Sequence, residues 1–167
     1  MSAAKTSDEW NALGQSLRQS LEAGERAEFT VTLASLEDTD ALGAVLLEAL
    51  PRGTVVTLHG TLGAGKTRLV QAVAAAAGVN PQEVTSPTFV LMQPYTQGTC
   101  PIYHFDVYRL KDEDEFLELG PEECFDGDGL TFIEWAEKVE SCLPRHYVAI
   151  TLTLVGENAR EVRIQLV

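Results

Sequence analysis

No run of about 18 consecutive apolar residues occurs in this 167-residue sequence, which excludes a helical membrane span. Basic residues are scarce: 12 Lys and Arg stand against 25 Asp and Glu, a net charge of −13. A surface of that sign repels phosphate backbones, which disfavours autonomous nucleic-acid binding and accommodates a basic protein partner more easily. Cysteine is limited to Cys100, Cys124 and Cys142, an odd number with no close pairs. Reduced thiols in a cytoplasm are therefore expected rather than a disulfide framework. Neither these cysteines nor the three histidines have zinc-ligand spacing. Met1 to Glu9 lacks the apolar core of a signal peptide. Heptads, internal repeats and low-complexity tracts are absent as well.

What is present is an ordinary globular composition, 45% hydrophobic and 22% charged, long enough for one domain with a real core. Ser7 to Ala23 reads as a helix with Ser7 as its cap; Trp10, Leu13, Leu17 and Leu21 form one apolar stripe and Gly24 ends it. Phe29 to Leu33 alternates as a strand. A second helix opens at Ser35 or Asp38 and stops at Pro51. Further strands are expected at Thr54 to His59, in the second half of Val84 to Tyr95, at Ile102 to Tyr108 and at Leu130 to Trp135. A short helix runs through Glu140. Two closing strands, Val148 to Val155 and Glu161 to Val167, flank a turn and predict an antiparallel edge.

The organising stretch is Gly60, Thr61, Leu62, Gly63, Ala64, Gly65, Lys66 and Thr67. Its two outer glycines, then lysine and a hydroxyl residue, have the spacing of a phosphate-binding loop. Glycine lets the backbone turn tightly and approach an anion, while successive amides and the following helix dipole favour negative charge. Lys66 would reach the β- and γ-phosphates and Thr67 would ligate Mg²⁺. The flanks are those the motif requires: a β-branched run before it, and an Ala-rich helix from Thr67 to Ala77 after it. Strands interleaved with helices around such a loop predict a P-loop NTPase-like, three-layer α/β domain with a mixed, mainly parallel sheet. The expected division is an N-terminal helical extension over 1–28 and a P-loop ATPase domain over 29–167.

Mg²⁺ needs carboxylate oxygen beyond Thr67, and in open α/β sheets ligands bind at the carboxyl ends of strands. Two acids qualify: Glu134, closing the apolar strand Leu130 to Ile133, and Asp106, set among Tyr103, Phe105, Val107 and Tyr108. A structural pairing of Asp106 with Arg109 or a backbone amide is the competing use. Ser86 and Thr88 lie on a loop stiffened by Pro87 that could sense a γ-phosphate. Trp135 is open to base stacking, partner docking or core packing, and His104 reads as a structural histidine. Residues 111–128 hold nine acids and one base, a solvated face or an electropositive partner's docking site.

The ordered set of motifs resembles the bacterial TsaE (YjeE) family over roughly residues 29 to 165. It comprises Thr39 with Leu42 and Gly43, Gly60 to Thr67, Ser86 to Phe89, and Tyr103 to Leu110. It continues with Leu119, Gly120, Glu122 and Glu123, then Ile133 to Trp135, and Leu143 with Pro144. The resemblance implies a small ATPase of tRNA threonylcarbamoyladenosine synthesis that binds ATP and Mg²⁺, releases ADP, and works on a TsaD–TsaB complex holding the tRNA. It implies Lys66 on the phosphates, Thr67 with Glu134 on Mg²⁺, Asp106 as the catalytic acid-bearing position, and Ser86 with Thr88 as a switch-like loop. Arg160 is expected at the adenine. Thr61 departs from the family's usual Asp, with consequences for the loop's charge. A small-molecule kinase would need an Arg-rich lid, where this chain is acidic; a GTPase would need an Asn-Lys-x-Asp segment, which is lacking. A non-hydrolysing, nucleotide-dependent adaptor is the remaining alternative.

Overall fold

Short β-branched and aromatic runs bounded by glycine, proline and polar residues assemble into one sheet in the computed structural model, which describes residues 5–167. The first four residues of the expected N-terminal extension lie outside the described residues. The strands are β1 (Glu28–Leu33), β2 (Val55–His59), β3 (Met92–Tyr95), β4 (Ile102–Asp106), β5 (Leu130–Glu134), β6 (Val148–Leu154) and β7 (Arg160–Leu166). Their spatial order is β1-β7-β6-β2-β5-β4-β3. The centre, β6-β2-β5-β4, is parallel, and β7, β1 and β3 pair antiparallel outside it. The sheet is thus mixed as expected. The β6–β7 hairpin also forms, but it does not supply the edge: β1 pairs with β7 beyond it.

Alternation along the strands sorts side chains to two faces. Ile102 of β4 with Leu130 and Phe132 of β5 join a core with Leu69, Val70 and Val73 of α3 (Lys66–Ala76). Phe105 and Ile133 point the other way, into a second core with Phe116, Cys124 and Val139. Helices α1 (Ser7–Glu22), α2 (Leu36–Ala49) and α3 cover the first face. The other face is covered by α4 (Glu113–Glu118), α5 (Pro121–Phe125) and a kinked 3₁₀ segment, Ala136–Cys142. Three layers result.

Helix α1 buries Trp10 and Leu17 in the first core, packing on α2. A large apolar side chain buried so fully contributes roughly 1.5–3 kcal/mol. Its cap is Thr6, not Ser7: Thr6 Oγ1 accepts from Glu9 N while Glu9 returns a carboxylate to Thr6 N, a reciprocal pair that Ser7 could not make with Glu9. Helix α2 is capped by Ser35, which accepts from Asp38 N. None of the nine carboxylates in 111–128 is buried, as a solvated face requires. The stretch nevertheless folds into α4, capped by Asp112, and α5, because Phe116 and Cys124 dock into the second core. Strand β4 ends at Asp106 rather than Tyr108, where the chain turns away. Among the described residues no helix is long and apolar enough to cross a membrane, and the three cysteines are free.

Candidate functional site

Parallel strands β2, β5 and β4 end along one rim of the sheet, so His59, Glu134 and Asp106 arrive there together. The loop from Gly60 to Gly65 leaves β2 and feeds α3. At Gly60 φ is +143°, and a Cβ would stand 2.6 Å from the Leu152 carbonyl oxygen, so only glycine fits. Gly65, with φ +107°, turns the chain into the first residue of α3, Lys66. The Lys66 ammonium donates to Gly60 O at 2.6 Å and Thr61 O at 3.1 Å, beneath the Trp135 ring. Trp135 itself is in the left-handed region, φ +62°, which swings its ring back over the loop and against Tyr108.

Thr67, the second residue of α3, donates its hydroxyl to Glu134 Oε1 at 2.8 Å. His104 Nε2 approaches the same oxygen at 2.8 Å from within the sheet. Across β4, Asp106 Oδ2 accepts from Ser86 Oγ at 2.8 Å and Thr88 Oγ1 at 2.9 Å, and Oδ1 accepts from Tyr108 N at 3.0 Å. Lys66, Asp106 and Glu134 are each buried, and each carries hydrogen bonds, as buried charge demands. Asp106 does not pair with Arg109, whose guanidinium stacks on Phe89 instead.

These groups line one cavity of about 490 Å³ that contains Leu62, Gly63, Gly65, Lys66, Thr67, Ser86, Thr88, Asp106, Glu134 and Trp135. Gly60, Thr61 and Ala64 complete the loop behind it. Arg160 lies elsewhere: from β7 its Nε donates to Ala64 O at 3.3 Å, on the far side of the loop. There it borders a second cavity of about 520 Å³ between the β1–α2 turn and the Gly60–Gly65 loop, with Ser35, Thr39, Gly63 and Arg68. A nucleotide could therefore straddle the loop, with phosphates on one side and base on the other.

Among the described residues no three His, Cys, Asp or Glu side chains converge into a ready-made metal cage. The Thr67 hydroxyl and Glu134 carboxylate nevertheless form an all-oxygen donor set at the head of a helix. Mg²⁺ is bound by few protein oxygens, with phosphates and water completing its shell, so the residues fit that ion. Glu134 and Asp106 lie at the rim as expected, whereas His104, which the sequence presents only as a structural histidine, also reaches the site through Glu134. The available signal was spacing: two residues before Asp106, His104 shares its face of β4.

A family model described as "Threonylcarbamoyl adenosine biosynthesis protein TsaE" matches residues 33–162. The chain is 42% identical over 130 residues to the "tRNA threonylcarbamoyladenosine biosynthesis protein TsaE" of Treponema pallidum (strain Nichols), covering 78% of this chain and 95% of that one. The protein of the same name from Bacillus subtilis (strain 168) is 39% identical over 126 residues, 75% of this chain and 78% of its own. The crystal structure of Bacillus "subtilus" YdiB superposes with a TM-score of 0.71 at 31% identity, covering 85% of this chain and 87% of that chain.

Proposed function

The chain belongs to the TsaE family of tRNA threonylcarbamoyladenosine biosynthesis proteins, and on that premise we propose that it is a Mg²⁺-dependent ATPase serving the pathway. The observation that carries this reading is the meeting of Thr67 and Glu134 at 2.8 Å beside Lys66, with Asp106 facing the same cavity. Lys66 binds the β- and γ-phosphates as counter-charge, and the loop amides hold their oxygens. Thr67 and Glu134 hold Mg²⁺, which when bound supplies positive charge to the phosphate oxygens. Asp106 orients the attacking water and accepts its proton as the γ-phosphorus bond to the β-bridging oxygen breaks and ADP leaves. Ser86 and Thr88, already bonded to Asp106, exchange that contact for the γ-phosphate. Trp135 covers the phosphate side, and Arg160 with the second cavity receives ribose and adenine.

The partners in this reading are TsaD and TsaB. The net charge of −13 suits a subunit that leaves tRNA to those partners and reaches it only indirectly. Cytoplasmic residence follows from the pathway's substrate, and free cysteines suit a reducing compartment. The acidic α4–α5 region gives no Arg-rich lid and so favours hydrolysis over transfer to a small molecule. Phosphate release measured with and without TsaD–TsaB tests the proposal. Mg²⁺-dependent turnover above a Lys66→Ala control is expected with the partners present. Nucleotide binding without turnover in either condition would instead make the chain an adaptor.

A further inference from the structure

We infer that His104 is a positioning residue that fixes the Glu134 carboxylate for Mg²⁺, an inference that rests on the metal role proposed above for Glu134. His104 is fully buried in β4, and Nε2 is 2.8 Å from Glu134 Oε1. An ionised carboxylate only accepts, so Nε2 carries the proton. The other ring nitrogen, Nδ1, is buried and makes no hydrogen bond among the described residues. A leucine at this place would fill the space between the sheet and α3 with no orphaned polar atom. The imidazole therefore contributes through its one bond, and that bond ends on Glu134.

The geometry around Oε1 explains what the bond does. Thr67 reaches it from α3 and His104 from β4, so helix and sheet grip the same oxygen, while Oε2 makes no hydrogen bond among the described residues. A hydroxyl that donates its hydrogen to a carboxylate keeps its lone pairs for a cation. The same arrangement thus aims Thr67 Oγ1 and fixes Glu134. Removing His104 leaves a carboxylate held from one side only, free to turn about its terminal torsion. Groups that hold a ligating carboxylate typically alter metal affinity by roughly 10–100-fold when lost.

The test is Mg²⁺ titration of a fluorescent N-methylanthraniloyl-ATP bound to the full chain. Relative to the unaltered protein, His104→Leu is expected to raise the half-saturating Mg²⁺ concentration at least about tenfold. Nucleotide affinity without Mg²⁺ should stay within about twofold. His104→Gln, whose amide N–H can occupy the place of Nε2–H, should recover most of the loss. An unchanged Mg²⁺ requirement in His104→Leu, or a glutamine variant no better than leucine, overturns the inference. Glu134→Gln serves separately: if it leaves the Mg²⁺ response intact, the metal role of Glu134 itself fails. ¹⁵N spectra of histidine-labelled, unsubstituted protein give a reading that needs no variant to fold. They should show His104 as the Nε2–H tautomer; an Nδ1–H tautomer with bare Nε2 refutes the bond.

Discussion

The Lys66 ammonium lies 4.7 Å from the centroid of the Trp135 ring while donating to the Gly60 and Thr61 carbonyls. A triphosphate entering the cavity competes for that ammonium with two neutral carbonyls and a π face, and charge-assisted bonds to phosphate are the stronger. Withdrawal of the cation should change Trp135 emission on ATP addition, a response that Trp135→Phe removes while Trp10 emission persists. Lys66→Ala should weaken ATP binding roughly 10–150-fold, by the loss of about 1.5–3 kcal/mol for a charged hydrogen bond. Binding within twofold of the unaltered protein would refute the phosphate role of Lys66.

Asp106 is held in place by Ser86, Thr88 and the Tyr108 amide rather than by a cation. Asparagine keeps its shape but cannot take a proton. Asp106→Asn is therefore expected to lower partner-stimulated turnover about 100-fold or more, the scale of general-base catalysis, with ATP affinity little changed. Single-turnover phosphate release compared with equilibrium binding separates the two quantities. A parallel loss of both would make Asp106 a structural residue.

At Gly43 the backbone of α2 lies close against that of α3. A Cβ there would lie 2.6 Å from the Ala72 carbonyl carbon and 2.8 Å from Val73 N, contacts that only a shift of helix backbone can relieve. Alanine gains about 1 kcal/mol in helix propensity, yet overpacking against backbone should outweigh it. With overpacking costing about 1–3 kcal/mol against that gain, Gly43→Ala is expected to lose up to about 2 kcal/mol of stability, read as a lower guanidinium midpoint. A midpoint at or above the parent's would mean that the two helices separate at little cost.

Glu9 closes the cap of α1, and its carboxyl is held below the ordinary glutamate range first by the Thr6 backbone amide and then by the Thr6 hydroxyl, against a smaller opposing effect of burial. Because the folded value is depressed, its stabilisation is present above the unfolded pKa and is lost as pH falls through the folded one. Glu9→Ala should accordingly melt below the parent at neutral pH, with the gap closing in acid. A gap constant from pH 7 to pH 3 would show that the carboxylate's charge plays no part.

Local chemistry made much of this legible in advance. Glycines at Gly60 and Gly65 followed by Lys66 and Thr67 predict a tight strand-to-helix loop, which forms, and strands ending in Asp106 and Glu134 place both acids at one rim. The rest depends on contacts between distant segments. Ser86 and Thr88 meet Asp106 across 20 and 18 residues, a pairing that no spacing rule anticipates. Helices α4 and α5 are shorter than isolated helices that hold in water, and exist because Phe116 and Cys124 find a core. Ser7 and Thr6 are equivalent as hydroxyls, and only the return bond from Glu9 distinguishes them. His104 looked structural because a buried histidine usually is, and its bond to Glu134 crosses between strands.

The segment carrying Ser86 and Thr88 is fastened twice, to the last residue of β4 and to Arg109 just beyond it. Its hydroxyls are tied to Asp106, and at Phe89, the residue after Thr88, the Arg109 guanidinium lies 4.3 Å from the ring centroid. Phe89 is also 81% exposed, so the second fastening sits on the outer surface. The Arg109–Phe89 stack is independent of the hydroxyl contacts, so loss of the bonds to Asp106 would still leave the segment attached at its outer end.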